Sequence, residues 1–196
     1  IRITDNVFED VFAGVGSHSM IYDRPYRNIV IQGNTFRNVK KRAVWCLNYV
    51  DSAVEDNIIE NAGGGVLVSC MYFPNTHLIP GTAAGMEGNH QNAGISVKNN
   101  QISISSVSQI NGNIWRGYGI EVQGAWVSDS SKAQAKGIPV GIYKENGVAV
   151  KGNMITGTGN GIRLYLADGC TVEDNQLKLQ KTASFSNMGI YLSASS

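Results

Sequence analysis

This sequence predicts an all-β solenoid of stacked parallel strands, and three observations carry the prediction. Glycine and asparagine number 23 and 19 of 196 residues while proline numbers 4, a composition suited to many tight turns and not to a helical bundle. Short β-type runs ending in Asn recur along the chain. Between them a second element recurs, a small residue followed by an apolar-x-apolar triplet. Neither element has the 3.6-residue period of a crossover helix.

The first element reads Ile1-Arg-Ile-Thr-Asp-Asn6, Ile29-Val-Ile-Gln-Gly-Asn34, Val54-Glu-Asp-Asn57, Ile95-Ser-Val-Lys-Asn-Asn100, Val148-Ala-Val-Lys-Gly-Asn153 and Val172-Glu-Asp-Asn175. An apolar residue follows two positions later each time: Phe8, Phe36, Ile59, Ile102, Ile155 and Leu177. The second element reads Ser19-Met-Ile-Tyr22, Ala43-Val-Trp-Cys46, Gly65-Val-Leu-Val68, Gly119-Ile-Glu-Val122, Gly141-Ile-Tyr-Lys144, Gly161-Ile-Arg-Leu164 and Gly189-Ile-Tyr-Leu192. Each coil thus offers three short β-runs joined by Gly/Asn turns. Coils of equal length stack those runs into parallel sheets, and the alternating apolar positions fill a shared interior. The ladder asparagines are 28, 23, 43, 53 and 22 residues apart. The 53-residue interval reads as one degenerate coil, with Val127 and Ser130 where Val and Asn should stand. That makes about seven coils of about 20–28 residues and a rod of roughly 30–35 Å at one rung per ~4.8 Å.

The register makes definite expectations. Asn6, Asn34, Asn57, Asn100, Asn153 and Asn175 belong in one column at a turn, because Asn tolerates left-handed backbone and bonds along a column of its own kind. Ile31, Phe36, Val44, Cys46, Val66, Val68, Ile95, Val97, Ile120, Val122, Val148, Val150, Ile162, Leu164, Ile190 and Leu192 belong in the core. Cys46, Cys70 and Cys170 have neither CxxC spacing nor zinc-spaced partners and are expected unbridged.

Composition bounds the function. Charged residues are 16% and the net charge is +1, which gives no basic excess for nucleic acid. No apolar run approaches the ~18 residues of a membrane span. The pattern starts in mid-run at Ile1 and stops soon after another strand-like run at Ser196. The chain is therefore read as one domain, 1–196, from a longer polypeptide.

The spacing of Val-x-Val-x-Gly-Asn-x-Ile followed by Gly-Ile-x-Leu resembles the right-handed parallel β-helix of the pectate-lyase-like superfamily, over essentially the whole chain. Polysaccharide lyases, glycoside hydrolases, epimerases and phage tailspikes share that fold. The resemblance implies right-handed coiling, in line with the general preference of parallel crossovers. It also implies a polysaccharide partner met outside the cell, at a cell surface or on a virion. It assigns no catalytic residue. The Asn-Thr-Asp, Asp-Asp, Gly-His-Gly and Arg-Ile-Lys signatures of polygalacturonases are absent, and Arg24-Pro-Tyr-Arg27 does not match the pectate-lyase arginine spacing.

A site is expected on the outward face of the Gly-Ile-x-Leu strands. The outward residues read Ile21, Trp45, Leu67, Glu121, Tyr143, Arg163, Tyr191, and two positions on Asp23, Leu47, Ser69, Gln123, Glu145, Tyr165, Ser193. Four aromatics, three carboxylates and an arginine suit a sugar chain, since rings stack on its apolar faces and ions bind hydroxyls or uronates. The outward set on the Asn-bearing strands, Arg2, Val30, Glu55, Ser96, Ala149 and Glu173, has no aromatic. Insertions 9–19, 70–93 and 103–118 could wall a groove, the second contributing His77 and His90.

Two enzymatic chemistries stay open. A hydrolase would pair Glu121 with Glu145, with their backbones ~8 Å apart. A lyase or epimerase would set Arg163 against a uronate carboxylate, with Tyr143, His77 or His90 as base. Glu121 is the expected acid or base, with Trp45, Tyr143, Tyr165 and Tyr191 as platforms and Asp23 in the binding set. A calcium ion held by carboxylates of neighbouring coils is possible without any motif. The alternatives are a non-catalytic carbohydrate-binding rod, trimeric if it is a tailspike, and a purely structural solenoid.

Overall fold

The computed structural model describes residues 1–17, 25–69, 93–105, 108–110, 113–115, 117–127, 141–182 and 187–193. Among them there is no helix. Three sheets of six strands each, parallel throughout, make the body. The asparagine sheet holds Arg2–Thr4, Val30–Gln32, Ala53–Glu55, Ile95–Lys98, Val148–Lys151 and Thr171–Glu173. The second sheet holds Val7–Glu9, Thr35–Arg37, Ile58–Ala62, Gln101–Ile104, Met154–Gly157 and Gln176–Leu179. The third holds Val15–Gly16, Arg42–Leu47, Gly64–Ser69, Tyr118–Gln123, Asn160–Tyr165 and Ile190–Ser193. The chain visits the three sheets in turn and then begins the next level, as a parallel β-solenoid does.

The asparagine column forms as the repeat requires. The backbone N–H and Nδ2 of Asn6 both donate to Oδ1 of Asn34, at 3.0 Å each. The same pair of bonds links Asn34 to Asn57, Asn57 to Asn100, Asn100 to Asn153 and Asn153 to Asn175. Each inner Nδ2 also reaches back to a carbonyl one level behind, as Asn100 does to Val54 at 2.9 Å. Asn34, Asn57, Asn100 and Asn153 are completely buried, and every polar atom lost to water is matched inside the column. The residue before each ladder Asn takes left-handed backbone: Asp5, Gly33, Asp56, Asn99, Gly152 and Asp174 all have φ between 54 and 68°.

The core is the continuous inward column set. Ile31, Phe36, Val44, Cys46, Val97, Ile120, Val122, Val150, Ile155 and Ile162 are fully buried. The small residue that opens each strand of the third sheet has a steric cause. A Cβ on Gly65 would lie 2.1 Å from the Gly119 carbonyl oxygen, and one on Gly161 2.2 Å from that of Gly189.

Four expectations need correction. Ala125–Val127, read as the core of a degenerate coil, pairs antiparallel with Gly141–Tyr143 in a separate ribbon, so each main sheet has six strands and Glu121 sits directly beside Arg163. In the first level the third-sheet strand is Val15–Gly16, next to Val44 and Trp45, so residues 10–14 form a short corner; Ser19–Tyr22, the run expected there, lies outside the described residues. The lone Val of Val15-Gly16 hid this register. The outward positions beside Arg2 and Val30 are Ala53, Ser96, Ala149 and Thr171, because Glu55 aligns with Gln32 and Glu173 with Lys151. That face still has no aromatic. Finally, Ile190 and Leu192 are 52% and 63% exposed, because no further strand covers the last level among the described residues.

Candidate functional site

Register places Trp45, Leu67, Glu121, Arg163 and Tyr191 side by side across the third sheet, one per strand. Alternation turns these side chains away from the core, because Val44, Val66, Ile120 and Ile162 take the inward positions just before them. The column is nevertheless closed at its centre: Leu47, Leu67, Ser69 and Glu121 are buried, Glu121 to 3% exposure.

Glu121 is the electrostatic hub. Its Oε2 pairs with Nη2 of Arg42 and its Oε1 with Nη1 of Arg163 at 3.2 Å. Both carboxylate oxygens are thus engaged by guanidiniums, and acid–base work by Glu121 would require an arginine to leave. A buried ion triad of this kind fixes geometry more than it adds stability, because desolvation offsets most of the Coulomb gain. Arg163 is further held over the Tyr165 ring, with Cζ 4.8 Å from the centroid, and stands 5.7 Å from the Tyr118 ring. Its side chain is 26% exposed, and among the described residues its buried Nε has no acceptor. At the opposite side of the sheet, Lys41 Nζ lies 4.3 Å from the Trp45 ring centroid and 5.9 Å from that of Phe12. Burial, and then the charge of Arg42, pull the Lys41 ammonium below its ordinary range.

The rings therefore do something other than expected. Trp45 and Tyr165 seat cations, and Tyr191 stands in register next to Arg163. Lys41, Arg42 and Tyr118 were not singled out in the sequence. The Lys40-Lys41-Arg42 run leading into Ala43-Val-Trp was the available signal.

Glu145 is not on this face. It is 1% exposed, and its backbone pairs with Ala167 at the corner between the third and asparagine sheets. Its carboxyl faces the interior: burial first, and then the Glu145 charge, push the Cys46 thiol up. Among the described residues Oε1 of Glu145 has no hydrogen-bond partner, and burial pushes its carboxyl well above the usual range. Tyr49, in the same corner, is raised by burial and then by Cys46. Cys46 and Cys170 are free thiols, and the Cys170 Sγ lies 3.7 Å from the Glu145 carbonyl oxygen. The two-carboxylate pair is thus not assembled, since one member faces out and the other in. Turn chemistry in Lys144-Glu-Asn-Gly147 masked this, because the corner strand points its first residue inward.

Tyr143 lies on the antiparallel ribbon, outside the column, and its side chain is outside the described residues. Asp23, His77 and His90 are outside them too. Among the described residues, no three His, Cys, Asp or Glu side chains gather as a metal site, and no helix is long and apolar enough to cross a membrane. No protein-family model matches the chain, and neither a curated protein nor a solved structure matches it.

Proposed function

We propose that this chain is a right-handed parallel β-helix that recognises an acidic polysaccharide outside the cell, on the third-sheet face around Arg163, Tyr165 and Tyr191. One observation carries the reading. The Arg163 guanidinium is held between the Tyr165 ring and Glu121 on a side chain that stays about a quarter exposed (26%). A pre-oriented, partly desolvated fork of this kind suits a carboxylate or sulfate better than a neutral hydroxyl. Tyr191, half-exposed on the adjacent strand, supplies a ring for a sugar face. Recognition is favoured over hydrolysis because Glu121 and Glu145 lie on opposite sides of the strand wall.

Elimination at a uronate is a second reading, supported by the adjacency of Arg163 and Tyr165. The guanidinium would neutralise the uronate carboxylate, and Tyr165 as phenolate would take the proton beside it; the carbon–oxygen bond to the leaving sugar would break as the ring double bond forms, and the leaving oxygen would take the proton back from the phenol. The test is a panel of uronate-bearing, sulfated and neutral polysaccharides, read by affinity and by the absorbance of unsaturated uronates. Acidic chains should bind, and Arg163→Ala should weaken binding by ~10-fold or more, the scale of a lost charged hydrogen bond. Equal binding of neutral chains, or full affinity in Arg163→Ala, overturns the proposal. A rise in absorbance promotes the second reading.

A further inference from the structure

Charge on the third-sheet face is out of balance. Its described outward residues carry one carboxylate, Glu121, which Arg42 and Arg163 bind from two sides. Lys41 brings a third cation to the edge of the same face, so cations exceed carboxylates there by two.

The seat of Lys41 is built by the fold. Its backbone N–H donates to the Phe12 carbonyl at 2.9 Å, which fixes the corner, and its Nζ lies over the Trp45 ring. A ring attracts a cation but does not neutralise it. Among the described residues no carboxylate forms an ion pair with Lys41. Burial and the Arg42 charge both oppose an ammonium at this place. An anion brought to Nζ would offset both, and a neutral hydroxyl would offset far less.

Trp45 and Arg163 stand in one register column, on the second and fifth strands of the sheet counted from Val15–Gly16. Three strand spacings separate them, ~14 Å. The floor between is Leu67 and Glu121. Both Glu121 oxygens are held by guanidiniums, so this carboxylate offers no free charge to repel an acid crossing it.

We propose that Lys41 on its Trp45 seat is a second acid-binding subsite, and that one acidic polysaccharide chain engages it together with Arg163 by crossing the strands between them. This inference rests on the recognition reading above and adds a length requirement to it. A fragment too short to span the two cations meets one of them. A longer chain meets both, and the second contact is then intramolecular.

The test is calorimetric binding of graded oligosaccharides from polygalacturonate, alginate and heparin to the wild-type chain and to Lys41→Met, Lys41→Arg, Lys98→Met and Arg163→Ala. Met keeps an aliphatic stem against the Trp45 ring and removes the charge. Wild-type affinity should step up once fragments exceed ~14 Å. Lys41→Met should abolish the step, a loss of ~10-fold or more on long fragments, and change the short ones little. Lys41→Arg should keep the step. Lys98→Met, which takes an equal charge from the asparagine sheet, should keep it too. A wild-type series without a step, or equal losses in Lys41→Met and Lys98→Met, overturns this inference. The recognition reading is judged separately: it fails, and the subsite with it, when no acidic fragment binds or when Arg163→Ala binds every fragment in full.

Discussion

At the scale of single residues, Glu145 sets the sharpest test. Its carboxyl is buried beside Cys46 with one oxygen unpartnered, and burial raises it well above the usual range. In the unfolded chain it ionises near its ordinary value, about 4.3. Above that pH the native state retains a proton that the unfolded state has lost, so stability falls as pH rises until the buried group itself ionises. Below about pH 4 the group is protonated in both states and the penalty vanishes. Glu145→Gln should therefore gain on wild type as pH climbs from 4 toward 7, by up to roughly 1.4 kcal/mol per unit. Urea titrations at several pH values check this, and parallel curves would show that Glu145 is paired and charged. Alternation placed Trp45, Glu121 and Arg163 correctly on one face from sequence alone, because strand parity needs no tertiary knowledge. Parity failed at Glu145 because its corner lies between two strands and resets the count. The missed signal was a second left-handed turn column, Asn28, Asp51, Gly94, Gly147 and Gly169.

At the scale of elements, the ladder and the sheets depend on each other. Asn100 Oδ1 accepts from both Asn57 N–H and Asn57 Nδ2, and Asn100 Nδ2 satisfies Val54 O and Asn153 Oδ1. Asn100→Ala would leave the buried Asn57 N–H without its acceptor inside a sealed turn and would take from the Val54 carbonyl its side-chain donor. A cost of about 1–3 kcal/mol is expected, the penalty of one stranded buried donor. Asn6→Ala, at an exposed position of the column, should cost no more than about 1 kcal/mol. Denaturant midpoints of the two variants make the comparison; equal losses would mean that the column is not the element that locks the turns. This element was legible because an Asn repeated after β-runs has one economical use in a stacked chain. The antiparallel ribbon 125–127 with 141–143 was not legible. Its Gly-Ile-Tyr matches the strand motif, and only pairing direction distinguishes a ribbon from a rung.

At the scale of the whole molecule, the fold behaves as a one-dimensional stack. Each level touches its neighbours, so stability is a sum of local interfaces, and among the described residues the first and last levels have one neighbour where the middle ones have two. The inward isoleucines of the third sheet measure this gradient directly, because one residue type recurs in the same column at Ile120, Ile162 and Ile190. Ile120 and Ile162 are fully sealed between levels, whereas Ile190 is half open to water. Truncating a sealed isoleucine leaves a cavity that close-packed rungs cannot collapse, at a cost of about 2–5 kcal/mol. Ile190→Ala removes a side chain that already touches water on one side and should cost under about 1 kcal/mol. Amide exchange should follow the same order, slowest in the strands around Asn57 and Asn100 and fastest in Ile190–Ser193. If the three variants lose stability equally, or exchange is uniform from end to end, the stack unfolds as one cooperative body. The open last level would then be as firmly held as the middle, and its exposed isoleucine and leucine would need a cause other than a missing neighbour.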